Sequence, residues 1–189
     1  MKKLFFTASM AILVAAAFSS CNHDDNDIKL SDYDDWRAEN DQWLQQIQSR
    51  KNPDGSPYYR TLIPIWNPEA FVLIHYFNDR LETAGNLTPL YTSTVNVRYI
   101  GYDIKGEAFD SSTLVTTDGV AGVAQFACNQ VIQGWSIAME DMRVGDTAEV
   151  VVPYGVGYGT NYSSSIKPYS NLVFNIRLVD IANYVSAPY

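Results

Sequence analysis

Residues 131–153 have the sequence Val-Ile-Gln-Gly-Trp-Ser-Ile-Ala-Met-Glu-Asp-Met-Arg-Val-Gly-Asp-Thr-Ala-Glu-Val-Val-Val-Pro, and their hydrophobic period changes partway along. In the first half, apolar residues recur at intervals of three and four, which predicts a helix over 131–142: Ile132, Trp135, Met139 and Met142. Gly145 and Asp146 end that region. Beyond them the period becomes two, with Ala148, Val150 and Val152 on one face, which predicts a strand that ends at Pro153.

The two-residue period recurs on both sides of this segment. Apolar and polar residues alternate over 95–99 and again over 172–178, and 72–77 is a short apolar run of strand length. One short helix among several such strands is typical of an α+β fold, in which an antiparallel sheet packs on the helix. The segment 154–170 is rich in Gly, Ser, Tyr and Pro, and loops of this length in compact domains tend to be functional.

A separate helix is predicted upstream, over residues 31 to about 50. Ser31 can cap its first turn, where three aspartates interact favourably with the helix dipole. Its apolar residues fall on one stripe: Tyr33, Trp36, Trp43, Leu44 and Ile47. The turn sequence Asn52-Pro53-Asp54-Gly55 ends it. We expect the stripe to pack on the domain that follows, although a contact between two copies of the chain would also cover it.

The first twenty residues have the features of an export signal. Lys2 and Lys3 precede an apolar run, 4–18, which is shorter than the roughly 20 apolar residues of a membrane span. The sequence Phe18-Ser19-Ser20-Cys21 resembles the lipobox of bacterial lipoproteins, in which the cysteine is acylated and becomes the mature N-terminus. An ordinary signal peptide followed by a stray cysteine is the alternative.

An acidic run, Asn22-His23-Asp24-Asp25-Asn26-Asp27, follows the cysteine. It resembles the surface-export signal of Bacteroidetes lipoproteins, and a flexible solvated tether would have the same composition. We therefore expect a protein of the bacterial cell envelope that is lipid-anchored to the outer membrane through Cys21. The acidic run favours exposure at the cell surface.

Composition excludes several classes of function. A net charge of −8 argues against a nucleic-acid partner, because an acidic surface repels phosphate backbones. Two His and two Cys residues are too few for a disulfide scaffold, a zinc cluster or a histidine-rich active site. The run at 24–27 lacks the alternating spacing and the glycine of a calcium loop. We therefore expect neither a metal nor a cofactor.

Six sequence blocks resemble those of FKBP-type peptidyl-prolyl isomerases in order and spacing. They are Val-Arg-Tyr-Ile-Gly-Tyr (97–102), Gly-Glu-Ala-Phe-Asp-Ser-Ser (106–112), Val-Ile-Gln-Gly-Trp (131–135), Met-Arg-Val-Gly-Asp (142–146), Tyr-Gly (158–159) and Leu-Val-Phe-Asn-Ile (172–176). The resemblance implies a twisted antiparallel β-sheet wrapped around a short α-helix, here preceded by an N-terminal helical extension. It also implies catalysis of X–Pro rotation without covalent chemistry.

The resemblance implies a prolyl-binding pocket, whose apolar residues can be carried over position by position. Trp135 would form the floor. Three aromatic side chains would form the walls: Tyr99, Phe109 and Phe174. Aliphatic side chains would complete the pocket, with Val131 and Ile132 at one edge and Ile166 in a flap, residues 165–168. Singly, each could be an ordinary core residue; as an ordered set, they predict the pocket.

Polar groups are implied beside these side chains. The backbone N–H of Ile132 would hold one substrate carbonyl and the Tyr158 hydroxyl another, with Asp110 as a polar anchor at the rim. Two segments depart from the family pattern. In Gly122-Val-Ala-Gln-Phe126 the usual aromatic is either displaced or replaced by Val123 and Ala124, and in the flap Lys167 stands where a proline is common.

Two functions of different classes are consistent with these features. An anchored prolyl isomerase would act on proline-containing polypeptides of the envelope or on exported ones, and the resemblance implies a macrolide as a pocket ligand. The alternative, favoured by the changed segment before Val131, is a catalytically weak peptide- or protein-binding module of an envelope complex. A third interpretation is a structural subunit of such a complex, engaged through the upstream helix.

The predicted organisation has five parts. They are a lipoprotein signal peptide (1–20), an acidic tether (21–30), a helix and linker (31–65), an FKBP-like domain (66–183) and a C-terminal tail (184–189). Because the family pattern starts after the linker, we expect a chain that begins near Trp66 to fold by itself.

Overall fold

A computed structural model describes residues 29–117, 119–163 and 165–182 of the chain. Within these ranges the chain forms two α-helices, α1 (Asp34–Gln48) and α2 (Gln133–Met139), and nine strands. The strands are β1 (Arg60–Leu62), β2 (Val72–Tyr76), β3 (Thr94–Tyr102), β4 (Ala108–Ser111), β5 (Thr116–Thr117), β6 (Val120–Ala121), β7 (Ala124–Ala127), β8 (Thr147–Val152) and β9 (Leu172–Ile181). The predicted signal peptide, Cys21 and the tail at 184–189 lie outside the described residues.

Seven of these strands form one sheet in which every pair is antiparallel. Its order is β1-β2-β8-β9-β3-β4, and β7 pairs with the first half of β3, on the same edge as β4. β5 and β6 form a hairpin of their own between β4 and β7. The alternation predicted over 95–99 is confirmed, because Val95, Val97 and Tyr99 are buried while Arg98 is exposed.

Helix α2 packs on one face of the sheet through a close backbone approach. A Cβ atom on Gly134 would lie 2.5 Å from a methyl carbon of Val152 and 3.2 Å from one of Val72, so glycine is required where the helix contacts β8 and β2. Around this contact, buried side chains of α2 and the sheet form the main core, which includes Trp135, Ile137 and Met139. The α+β architecture predicted from the sequence is therefore confirmed.

The predicted bounds of this helix are wrong at both ends. Ile132 has extended backbone angles (φ −56°, ψ 145°), as does Val131, so the helix begins at Gln133 rather than at residue 131. It ends at Met139, and Met142 reaches the core from the turn that follows. The apolar spacing overstated the helix because Val131, Ile132 and Met142 pack in or against the main core although they lie outside the helix.

Helix α1 covers the opposite face of the sheet near β2 and β8. Trp43, Leu44 and Ile47 pack on a second buried cluster that contains Leu73 and Val151. The stripe therefore packs on the domain, which confirms the first of the two predicted arrangements. Ser31 does not cap α1: it lies in a short 3-10 turn, Leu30–Tyr33, and Tyr33 precedes the helix without a side-chain cap.

Two polar contacts fix α1 against the end of β9. The Asn171 backbone N–H donates to the Asn40 side-chain oxygen over 2.7 Å, and the Asn171 amide donates to the Asn40 carbonyl over 2.7 Å. Both asparagines are fully buried, so each satisfies polar groups that would otherwise be buried without a partner.

The linker between α1 and β2 contributes a strand to the sheet. β1 pairs with β2, in the register Arg60 with Ile74. β1 and α1 both precede residue 66, where the sequence placed the start of the FKBP-like domain. The domain limits remain a prediction, and these contacts favour a folding unit that begins near Leu30. No described helix is both long enough and apolar enough to span a membrane.

Candidate functional site

Four aromatic rings meet where the N-terminal end of α2 faces β3, β7 and β9. Trp135 is at the centre, with its ring centroid 5.1 Å from Tyr99, 5.2 Å from Phe174 and 5.6 Å from Phe126. Each pair is edge-to-face, the geometry that aromatic quadrupoles prefer. The structure therefore brings together three of the predicted pocket residues and adds Phe126.

Phe109 joins this cluster through a gap left by a glycine. Its ring centroid lies 5.6 Å from that of Phe174, again edge-to-face. Gly101 lies beside both rings in β3, paired with Phe174 on β9, and a Cβ there would be 2.8 Å from each ring. Only glycine leaves room for the two rings to meet at this point of the sheet.

A cavity of about 190 Å³ opens beside this cluster. Four predicted site residues line it: Phe109, Asp110, Tyr158 and Ile166. The other lining residues are Asn161, Tyr162, Ser163 and Ser165, from the long loop before β9. Because one water occupies roughly 30 Å³ of liquid, the cavity has space for a small ring and a few adjoining atoms.

Asp110 is held in place by a tyrosine from the neighbouring strand. The buried Tyr99 hydroxyl donates to Asp110 Oδ2 over 2.7 Å. Burial, the hydrogen bond to Asp110 and the charge of that carboxylate all raise the pKa of Tyr99. The phenol therefore stays protonated, and one oxygen of the Asp110 carboxylate is fixed beside the cavity.

Tyr158 presents its hydroxyl at the same cavity. Its side chain is half-buried, and none of the described residues hydrogen-bonds to its hydroxyl. Burial raises the pKa of Tyr158, and the negative charge of Asp110 raises that pKa further. The hydroxyl is thus a protonated donor throughout the physiological pH range.

The two residues before α2 occupy different positions. Ile132 packs against the main core, and its carbonyl accepts from the Trp135 N–H over 2.9 Å. Among the described residues, none accepts a hydrogen bond from the Ile132 N–H. Val131 also packs on the core but lines a different cavity, of about 480 Å³, together with Trp66 and Tyr91.

The flap is a tight turn whose apolar residue points toward the cavity. The Ile166 N–H donates to Ser163 Oγ over 3.0 Å, and the Ser163 N–H donates to the Ile166 carbonyl over 2.9 Å. These bonds present Ile166 to the cavity. Lys167, which replaces a common proline, extends toward α1, with Nζ 4.6 Å from the centroid of Trp36.

Two residues of the site were not identified from the sequence. For Phe126, the sequence left open whether the aromatic before Val131 is displaced or replaced, and the structure shows that it is displaced, onto β7 next to Tyr99 and Trp135. Gly101 was quoted in a motif but given no role. Its signal was available, since a glycine inside a strand often marks a close approach of another group.

The chain is similar in sequence to known peptidyl-prolyl isomerases. Residues 85–179 match the sequence profile of the FKBP-type peptidyl-prolyl cis-trans isomerases. The chain is 38% identical over 94 residues to an FKBP-type 22 kDa peptidyl-prolyl cis-trans isomerase of Escherichia coli strain K12, covering 49% of this chain and 43% of that protein. It is 37% identical over 102 residues to the outer membrane protein MIP of Legionella longbeachae, covering 53% and 42%. The match thus spans less than half the length of these relatives.

Solved structures agree in fold. A peptidyl-prolyl cis-trans isomerase from Pseudomonas syringae superposes with a TM-score of 0.61 at 22% identity, covering 79% of this chain and 95% of that one. FkpA from Escherichia coli superposes with a TM-score of 0.61 at 21% identity, covering 80% and 63%. Sequence identity this low supports the shared fold alone.

Proposed function

The chain belongs to the family of FKBP-type peptidyl-prolyl cis-trans isomerases, and from this we propose that it catalyses X–Pro rotation in exported or envelope polypeptides. The observation that carries the proposal is the cavity lined by Phe109, Asp110, Tyr158 and Ile166, beside the aromatic cluster centred on Trp135. It combines an apolar surface with a few hydrogen-bonding groups, as prolyl rotation requires.

The chemistry needs no nucleophile and no proton transfer. Rotation of an amide loses resonance, with a barrier of roughly 18–20 kcal/mol. Water stabilises the polar planar amide more than the twisted one, so an apolar pocket lowers the barrier by removing that preference. Donors aimed at the twisted geometry lower it further, because they bind the transition state more tightly than the ground state.

We assign the apolar roles as follows. Trp135 is the proposed floor, and the proposed aromatic walls are Tyr99, Phe109 and Phe174. Of these four residues, Phe109 lines the cavity, and the other three form the buried aromatic cluster beside it. Ile166 closes the cavity from the flap, and Val131 and Ile132 contact the substrate at the start of α2. We assign the cavity beside Val131 to the chain that precedes or follows the proline.

The polar roles fall to three groups. The Ile132 N–H, which has no acceptor among the described residues, and the Tyr158 hydroxyl hold two substrate carbonyls, and Asp110 is the polar anchor at the rim. The bond from Tyr99 fixes the Asp110 carboxylate, and burial together with the charge of that carboxylate raises the pKa of Tyr158.

We further propose that the chain acts in the bacterial cell envelope, lipid-anchored to the outer membrane through Cys21 and exposed at the surface. The features that support this are the leader, the lipobox-like Phe18-Ser19-Ser20-Cys21 and the acidic run after it. The name of the Legionella relative, outer membrane protein MIP, points the same way. Its clients would be proline-containing polypeptides in that compartment, and a macrolide would compete for the pocket.

The alternative of a weak binding module loses its main support. It rested on the changed aromatic before Val131, and Phe126 supplies an aromatic ring to the cluster, 5.9 Å from Tyr99. Isomerisation is therefore the function that the site favours.

A proline-peptide assay with the full chain separates the two functions. We expect the protein to catalyse cis–trans interconversion of the peptide and to lose that activity when a macrolide ligand of the family is added. Binding of the peptide without any acceleration would identify a binding module instead. Neither binding nor acceleration would contradict both functions.

A further inference from the structure

A second cavity, of about 300 Å³, continues the prolyl cavity toward helix α1. The two cavities share Phe109, Ile166 and three further loop residues. The far wall of the second one is formed by Tyr33 and Trp36, at the start of α1. We call this second cavity the helix groove. Because α1 lies outside residues 85–179, the groove depends on a part of the chain that the family match does not cover.

Contacts between α1 and the loop before β9 hold this wall in place. The Trp36 Nε1–H donates to Ser170 Oγ over 3.0 Å, and Lys167 Nζ lies 4.6 Å from the centroid of the Trp36 ring. At the next residue, the Arg37 guanidinium lies 4.9 Å from the centroid of the Tyr169 ring. The aromatic wall is therefore fixed relative to the flap that carries Ile166, so both cavities keep one geometry.

Two residues with carboxylate side chains also line the groove, Asp103 and Glu107. Asp103 Oδ1 accepts the backbone N–H groups of Lys105 and Glu107, which fixes that carboxylate in the turn after β3. Glu107 is exposed, and no described residue forms an ion pair with it. The nearby Lys105 is already paired with Glu39 on α1.

A groove lined by aromatic rings and by two carboxylates suits a basic side chain. A lysine or arginine there would combine a charge-assisted hydrogen bond to a carboxylate with a cation–π contact to an indole or phenol ring. Because Lys167 also lines the groove and already lies over Trp36, an incoming cation would contact Tyr33 and pair with Glu107. An acidic side chain would instead be repelled by Asp103, Glu107 and the adjacent Asp110.

We propose that the helix groove binds the residue next to the proline of a polypeptide and favours lysine or arginine there. This inference rests on the proposed function only in taking the prolyl ring to bind in the adjoining cavity. It adds a substrate preference: α1 makes the enzyme selective for prolines with a basic neighbour.

The test measures binding, so it does not depend on turnover. Fluorescence anisotropy gives the Kd of the full chain for labelled proline peptides that carry Lys or Glu on either side of the proline. We expect the Lys peptide to bind about three- to fivefold more tightly at one of the two positions, the change in Kd that an exposed ion pair gives. Raising the salt concentration should reduce the difference, because both charges are accessible to solvent.

Glu107→Gln is the informative variant, because the Glu107 side chain forms no hydrogen bond or ion pair with the described residues and only its backbone takes part in the turn. We expect it to bring the two Kd values close together. Glu82→Gln removes an equal charge from an exposed position away from both cavities and should keep the preference. The comparison separates a local contact from the general attraction of a basic peptide to an acidic protein.

Each outcome decides one of the two claims. Equal Kd values for the Lys and Glu peptides, or a Lys preference that survives Glu107→Gln, would overturn the groove assignment. A Lys preference that Glu107→Gln abolishes supports it, even in a protein that fails to accelerate isomerisation. A Lys preference that depends on Glu107, in a protein without isomerase activity, would contradict the proposed function and still support the groove assignment.

Discussion

Replacing Gly101 with alanine places a methyl group between two rings of the proposed pocket. The new Cβ would lie 2.8 Å from Cζ of Phe109 and 2.8 Å from Cε1 of Phe174. Carbon atoms prefer separations of about 3.5–4.0 Å, so each ring must move by about 1 Å or the strand must bend. Gly101 does not have a positive φ, so the backbone itself tolerates alanine and the effect is confined to the packing of the rings.

The expected magnitude follows from overpacking. Inserting a methyl group into a packed core costs about 1–3 kcal/mol. For a protein of this size, about 1 kcal/mol lowers Tm by roughly 2–4 °C, so Gly101→Ala should lower Tm by about 2–12 °C. A 1 Å displacement in a site can reduce catalysis by roughly 100-fold, and because Phe109 lines the cavity we expect kcat/KM toward a proline peptide to fall by about 10- to 100-fold.

Calorimetry and the proline-peptide assay measure the two effects on the same sample. Gly85→Ala is a matched control, because no atom lies within 4 Å of its Cβ position and its φ is not positive. It should keep the parental Tm and kcat/KM. If Gly101→Ala also kept both, the two rings would not be as closely packed as described, and the walls assigned to the pocket would be wrong.

Three further predictions concern the ends of the chain and its cysteines. A chain that begins at Trp66 should lose cooperative thermal unfolding, because it lacks β1 and the helix that covers Leu73 and Val151; an unchanged Tm would show that the earlier domain limit is right. Cys21→Ala should move the protein from the membrane to the soluble fraction, and a variant that stays membrane-bound would refute the lipid anchor. In that variant the remaining thiol, Cys128, should not react with a disulfide reagent at pH 8 until the protein unfolds, because burial raises its pKa to about 11; prompt reaction would contradict its burial.

The central strands and α2 were predictable because burial on one face imposes a period. One side of β3 faces the core through Val95, Val97 and Tyr99, and this burial is visible in the sequence as alternating apolar residues. The short strands β5 and β6 have two residues each and are mostly exposed, so they produce no alternating pattern in the sequence. The ends of α2 were misjudged for a related reason, since Val131 and Met142 pack in or against the main core although they lie outside the helix.

The site was predictable as a set of residues but not as an arrangement. The order of the motifs indicated Trp135, Phe109 and Tyr158, yet their spacing gave no information about which side chains share a cavity. Val131, for example, lines a different cavity from Phe109 and Tyr158. Such relationships depend on strand register and on the loop before β9, which local sequence does not determine.

The contribution of α1 to the site also could not be predicted from the sequence. Its apolar stripe indicated packing on the domain but not that Trp36 would contact the flap. The hydrogen bond from Trp36 to Ser170 joins residues far apart in the chain, and it forms only because β9 and α1 meet at the same corner of the sheet.

The most direct test of the proposed mechanism is the rate at which the full chain interconverts the cis and trans forms of a proline peptide, for the parent, Tyr158→Phe and Tyr102→Phe. The parent should be catalytic, and loss of the Tyr158 hydroxyl should lower kcat/KM by about 10-fold, the effect of one transition-state hydrogen bond of about 1.4 kcal/mol. Tyr102 lies outside the cavity, so its variant should match the parent. A parent without activity, or a Tyr158→Phe variant as active as the parent, would contradict the mechanism.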